Sequence, residues 1–229
     1  MARGFTVAGG SVAGRHHVRA GRNNQDAFAW RRTEGALVAV VCDGCSSGAH
    51  SEVGARIGAR LLAQSSMVQQ TALAELARLA QAMCGAGPGT AEFAAVVADY
   101  FLFTAVGVVI EGDRARAITL GDGLIAVNGV ATRLGPFPGN APPYLGYSLL
   151  GREVALETTP LPAASEIASI VLATDGAQDI ELKPFTTDPR VQENPDMVRR
   201  LLWQQARARQ LDDDATLVVI RPEAEEGAP

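Results

Sequence analysis

The sequence predicts an α+β fold in which antiparallel sheets pack together and helices cover their outer faces. Three observations lead there. Strand-like and helix-like stretches do not alternate one for one, which argues against a doubly wound parallel sheet. Residues 101–134 form a run of short apolar segments separated by Gly, Asp and Asn turns, a meander pattern. Stretches with helical periodicity cluster between strands, and another comes late in the chain. The 229 residues are 47% hydrophobic and 20% charged, an ordinary balance for a folded domain. At this length folding buries roughly 70% of the unfolded surface, so the core needs no staples.

The elements follow in order. Residues 4–12 read as a strand. Residues 16–26, polar and carrying Gly21 and Asn23-Asn24, read as a loop. A short strand is expected over 27–30. Residues 36–42 (Ala-Leu-Val-Ala-Val-Val-Cys) are continuously apolar, as in a strand buried on both faces. They run into Asp43-Gly44-Cys45-Ser46-Ser47-Gly48, where Ser46 and Ser47 are expected to cap a helix. That helix covers about 51–67, with Val53, Ile57, Leu61 and Leu62 on one face. A second helix over 71–83 ends at the glycines of 85–89, and a short third is expected over 91–98. Strands are expected over 101–110, 115–120, 124–127 and 130–134. Residues 135–147 hold Pro136, Pro138, Pro142 and Pro143 and must be irregular. Strands return over 154–157 and 169–173. A helix spans about 195–210 with Pro195 in its first turn, and a strand over 215–220 closes the fold. Residues 1–222 read as one domain and 223–229 as an acidic disordered tail.

Composition excludes several classes. The net charge is −5, from 25 acidic and 20 basic residues. With no Lys/Arg cluster, a nucleic-acid partner is not expected. The single lysine, Lys183, lies in no phosphate-loop motif. No run of 18 apolar residues exists, so no membrane span is expected. No apolar segment follows the N-terminus as in a signal peptide, and three cysteines are too few for a disulfide scaffold. The cytoplasm and a monomer are the expectation.

Five aspartates stand at strand ends or in adjoining loops: Asp26, Asp43, Asp122, Asp175 and Asp213. Three of them precede a glycine, which leaves room for a main-chain carbonyl to face a ligand. Singly, an Asp-Gly pair is a turn. Gathered at one end of a sheet, five carboxylates would have to take up protons or cations. Oxygen donors favour Mg²⁺ or Mn²⁺, and two such ions can clamp a phosphoryl group. Setting these five aside leaves 20 acids against 20 bases, so the rest of the chain is formally neutral.

Asn24-Gln25-Asp26, Val41-Cys42-Asp43-Gly44, Gly121-Asp122-Gly123, Ala173-Thr174-Asp175-Gly176 and Asp213-Asp214-Ala215-Thr216, in this order over about residues 4–221, resemble the metal-dependent protein phosphatases of the 2C family. The pattern His-x-x-x-Gly before Gln-Asp-Ala-Phe is similar to a compact bacterial branch. The resemblance implies an αββα sandwich with metals between the sheets. It implies that Asp43 bridges two ions, with the Gly44 carbonyl on one and Asp175 and Asp213 on the other. Asp122 would hold a third ion with Asp26 nearby. The implied reaction is hydrolysis of phosphoserine or phosphothreonine in proteins by in-line attack of a metal-bound hydroxide. The implied partner is a phosphoprotein, a Ser/Thr kinase or its targets.

The sequence departs from the family pattern in four places. Gln25 replaces a common Glu. Gly21 stands where the phosphate-binding Arg is usual, leaving Arg22 or Arg19 to reach the phosphate. Cys45 replaces a general-acid His, leaving His16 or His17 to supply a proton. A Pro-rich loop around Tyr144 and Tyr147 replaces a charged flap. These departures also motivate a rival reading, a non-catalytic partner-binding module, and a small-molecule phosphomonoesterase shares the same site. The Cys42-x-x-Cys45 spacing reads as buried thiols rather than a redox or zinc pair, for no second pair supports it. A thiol-nucleophile phosphatase needs Arg six residues after Cys, and Gly48, Ser51 and Thr90 stand there.

Overall fold

The structure is a computed structural model that describes residues 4–209 and 211–223. Beyond Glu223, the expected acidic tail lies outside the described residues. The strands are β1 (Phe5–Val12), β2 (Asp26–Arg32), β3 (Ala36–Asp43), β4 (Ala105–Glu111), β5 (Arg114–Leu120), β6 (Gly123–Val127), β7 (Val130–Leu134), β8 (Glu157–Pro160), β9 (Ile170–Ala173) and β10 (Ala215–Pro222). The helices are α1 (Arg15–Ala20), α2 (Ser51–Gln64), α3 (Gln69–Cys84), α4 (Ala91–Tyr100), α5 (Lys183–Thr187), α6 (Arg190–Glu193) and α7 (Met197–Arg209).

The strands form two five-stranded sheets, ordered β1-β10-β9-β6-β7 and β2-β3-β4-β5-β8, with antiparallel neighbours throughout. Strand periodicity divides β3 between two cores. Leu37, Ala39 and Val41 meet Ile170, Leu172, Val218 and Ile220 of the facing sheet. Val38, Val40 and Cys42 meet Ala55, Leu62, Leu76 and Phe93 of the α2–α4 layer. On the far side, Leu217 and Val219 of β10 pack with Phe185, Val191, Val198 and Leu202 of α5–α7. The result is the expected α+β αββα sandwich, and the two-faced burial explains why the β3 segment is apolar without alternation.

Four local expectations differ from the structure. Residues 15–20 form α1, not a loop. The helix has no side-chain N-cap; its first amides, Arg15 N and His16 N, donate to Leu211 O and Asp212 O, partners no local pattern reveals. Residues 101–104 are not strand, because their backbone crosses to the β3 end: Thr104 N donates to Asp43 O and Leu145 N to Phe103 O. The strand expected over 154–157 forms instead at β8, which pairs with β5. Ser46 and Ser47 do not cap α2, whose N-cap is His50; Ser47 Oγ lies 3.1 Å from Cys45 Sγ.

Candidate active site

Antiparallel pairing carries separate motifs to one end of the sandwich. Asp43 ends β3 and is the direct cross-strand partner of Asp26 at the start of β2. Asp175 follows β9 and Asp213 precedes β10, and these two strands are neighbours. Asp122 lies in the turn joining β5 and β6. Between the sheets at this end opens a small cleft of about 60 Å³, lined by Asp43, Gly44, Asp122, Asp175 and Asp213 together with His17, Gln25, Cys45, Ser46, Pro142 and Tyr144. No Lys or Arg side chain lines it among the described residues.

Glycine is required where backbones crowd the cleft. A Cβ on Gly176 would lie 2.0 Å from Asp214 O, and one on Gly44 2.9 Å from Gln25 O. These two Asp-Gly pairs therefore let the ends of neighbouring strands within each sheet crowd together, beyond making turns.

Asp26 sits behind Asp43. Its Oδ2 accepts a 2.7 Å hydrogen bond from Thr174 Oγ1, which ties the two sheets together. Its Oδ1 is buried with no donor, because the group it faces is the Asp43 carboxylate. Two carboxylates bond only if one holds a proton. Burial raises both above the usual carboxylate range, and the neighbouring charges of Asp214 on Asp26 and of Asp26, Asp175 and Asp213 on Asp43 add to it. Burial and the Asp175 charge push Asp122 up to about 6, and burial with Asp175 raises Asp213 as well. Asp175 Oδ1 and Gln25 Oε1 are also buried without a donor. Orphaned acceptor oxygens and mutually repelling carboxylates, with no cation among them, form a donor set that fits hard divalent ions.

The other candidates stand differently. Arg22 does not line the cleft; its Nη1 donates to Ser46 O at 2.9 Å and its Nη2 to Gly48 O at 2.8 Å, pinning the loop after β3. His16 is exposed and faces Asp212, with Nε2 3.6 Å from Oδ1. The histidine that lines the cleft is His17. Its Nδ1 lies 2.7 Å from Oδ2 of buried Asp214. Asp214 also accepts from Gly14 N at 2.7 Å and Gln25 N at 2.6 Å. Three consecutive aspartates thus take three positions: Asp212 outward on Arg15, Asp213 in the cleft, Asp214 beneath it. Sequence reasoning missed Asp214 and Thr174. It named His16 and His17 together without separating them; the His-x-x-x-Gly pattern singles out His17, four residues before Gly21.

Cys42, fully buried in the core, and Cys45 are free thiols. Tyr144 walls the cleft, and burial raises its phenol far above the ordinary value.

A family profile described as protein phosphatase 2C matches residues 13–214. No curated protein sequence matches the chain. Among solved structures, RsbX in complex with magnesium is similar, with 15% identity, 96% of each chain covered and a TM-score of 0.59. The S. agalactiae serine/threonine phosphatase shares 13% identity over 96% of this chain and 100% of that one, with a TM-score of 0.68. Serine/threonine phosphatase Stp1 from Staphylococcus aureus shares 14% identity over 98% and 97%, with a TM-score of 0.64. At these identities the likeness speaks for the fold. With the profile taking in all five aspartates, from Asp26 to Asp213, the chain belongs to the protein phosphatase 2C family.

Proposed function

We propose that the chain is a protein serine/threonine phosphatase that works with Mn²⁺ or Mg²⁺. One observation carries the reading: Asp43, Asp122, Asp175 and Asp213 converge on a single cleft that no lysine or arginine among the described residues lines. These carboxylates and the Gly44 carbonyl would hold two or three ions. Bound there, the ions supply a nucleophilic water at neutral pH and neutralise the phosphoryl oxygens.

The chain's own groups set the geometry. The Asp26–Thr174 bond fixes the carboxylate behind Asp43 and keeps the sheets in register. Gln25 Nε2 donates to Ser51 Oγ at 2.6 Å, which fixes its amide while Oε1 is left to accept. Tyr144 and Pro142 wall one side and limit water around the substrate. The substrate is a phosphoseryl or phosphothreonyl side chain, and the phosphoprotein partner, a Ser/Thr kinase or its targets, follows from the family resemblance.

The test is turnover of a phosphoserine peptide and of p-nitrophenyl phosphate with Mn²⁺, with EDTA, and in Asp43→Asn. Activity with Mn²⁺, abolished by EDTA and by the substitution, is expected. Activity that survives both treatments refutes the reading. That no arginine among the described residues lines the cleft favours one rival, a partner-binding module without turnover. Failure of calorimetry to detect Mn²⁺ binding would select that rival.

A further inference from the structure

Strand β2 leaves one edge of its sheet open. It is seven residues long and pairs only with β3. The opposite edge, β8, is four residues long and ends at Pro160, a short edge of the kind that resists further pairing. Two bonds bracket the β2–β3 ladder: Gly44 N donates to Gln25 O, and Thr33 N to Ala36 O. Hydrogen-bonded pairs alternate along an antiparallel ladder, so Ala27, Ala29 and Arg31 turn their main-chain groups toward β3. Phe28 and Trp30 turn theirs away, and the amide and carbonyl of each have no partner among the described residues. Asp26 N, which also faces outward, is satisfied by Asn24 Oδ1 at 2.9 Å.

Two hollows of about 230 and 500 Å³ run along this edge, and Arg60 of α2 lines both. Arg56 lines the first and Arg31 the second. Arg56 and Arg60, one turn apart on α2, are exposed and carry no ion pair or hydrogen bond among the described residues. Arg31 Nη1 donates to Gln64 O, and Arg32 holds Glu223. Among the described residues, Asp26 is the one carboxylate lining the hollows, and its Oδ2 is taken by Thr174. The strand's two faces differ. Ala27 and Ala29 face the helices, the side of the α2 arginines. Phe28 faces the other sheet, and Trp30, 45% exposed, stacks on it with ring centroids 5.8 Å apart. Exposed Trp and Arg are residue types that anchor protein interfaces.

We propose that the β2 edge is the docking site for an extended segment of a protein partner in which acidic and apolar residues alternate. The segment adds a strand to the sheet, its main chain bonding to the free amides and carbonyls of Phe28 and Trp30. Side chains of an added strand alternate between faces. Carboxylates at every second position meet Arg56 and Arg60, and the apolar side chains between them cover Phe28 and Trp30. Charge decides the occupant: a second copy of this chain would bring the same arginines to the seam, cation against cation. A segment so placed runs toward Asp26, the cross-strand partner of Asp43, and so toward the carboxylate cleft. The docking stands whether or not that cleft turns over a substrate.

The probe is a fluorescent peptide, Glu-Val-Glu-Val-Glu-Val-Glu, with its Lys-for-Glu analogue and Glu-Glu-Glu-Glu-Val-Val-Val as controls. Anisotropy should show saturable binding of the alternating acidic peptide alone, weakening as salt is added. Hydrogen exchange at the Phe28 and Trp30 amides should slow when it binds. Arg56→Glu with Arg60→Glu should weaken binding about tenfold or more, because reversal turns attraction into repulsion. Trp30→Pro deletes one outward N–H while leaving the β3 ladder intact, and it should abolish binding; Trp30→Val keeps that N–H and should retain part of it. Unchanged melting temperatures verify the folds, and if Trp30→Pro does not fold, the arginine variant and the exchange rates still decide. No saturable binding, equal binding of either control, or undiminished binding by the arginine variant overturns the proposal. Binding without slower exchange at Phe28 and Trp30 overturns the added strand. A dimer in sedimentation that Trp30→Pro dissolves gives the edge to a second copy and overturns the partner.

Discussion

Removing divalent ions should make this protein less stable as the pH rises from 5 to 8. Asp26, Asp43, Asp122 and Asp213 are all held above the ordinary carboxylate value of 3.8. A group with a raised folded pKa contributes stability that is fully present below its unfolded value and is lost as the pH climbs through the folded one. For Asp122 the window runs from 3.8 to about 6. A shift of about two units corresponds to about 3 kcal/mol. Because this side chain is partly open to water, screening cuts that to roughly 1 kcal/mol. Buried Asp26 and Asp43 push the same way and extend the window upward. The surface carboxylates Asp188, Asp196 and Asp212 are held below 3.8 by arginines. Their contribution is lost only as the pH falls below that value, so they are constant from pH 5 to 8. For a chain of this length 1 kcal/mol moves the melting temperature about 2–4 °C. Calorimetry in EDTA should therefore show a fall of at least that size between pH 5 and 8. Saturating Mn²⁺ should reverse the slope, because the ions bind the folded state and displace its protons. Asp43→Asn should flatten the slope in EDTA. A melting temperature that is level or rises in EDTA, or an Asp43→Asn slope equal to the wild type's, would refute the electrostatic argument.

Two further outcomes follow from the hydrogen bonds. Asp214→Ala leaves Gly14 N, Gln25 N and His17 Nδ1 without their acceptor, each worth about 1–3 kcal/mol when buried. A loss of roughly 3–5 kcal/mol, read as a lower urea midpoint at unchanged slope, is expected. Arg22→Ala frees the loop carbonyls of Ser46 and Gly48 and should cost roughly 1 kcal/mol, while the inhibition constant of inorganic phosphate stays within about twofold; tenfold weaker phosphate binding would return Arg22 to the role of phosphate ligand.

The sequence makes the layers legible where one strand must satisfy two cores. Residues 36–42 are apolar without alternation because both faces of β3 are covered. The meander of β4–β7 is legible through its turn residues. Helix α1 is not, because the carbonyls that accept from its first amides lie almost 200 residues away. That hidden helix also decides between the histidines: adjacent residues in a loop are equivalent, whereas on a helix His16 faces solvent and His17 the interior. The same holds for Asp212, Asp213 and Asp214. Composition gives three equal carboxylates, and only the start of β10, with α1 packed against it, sends one outward, one into the cleft and one beneath.

The register of β2 on β3 supports the proposed ion site over a turn role for these motifs. It sets Asp26 directly across from Asp43, and like charges opposite one another destabilise a sheet pair. A one-residue slip would separate them, but it would also turn Val38, Val40 and Cys42 away from the helices and into the inter-sheet core. The hydrophobic pattern thus holds the two carboxylates together against their repulsion. The strain at that pair is relieved by a proton at low pH or by a cation at neutral pH. A turn residue has no need of either, so a local conflict enforced by the whole core points to an ion-binding site.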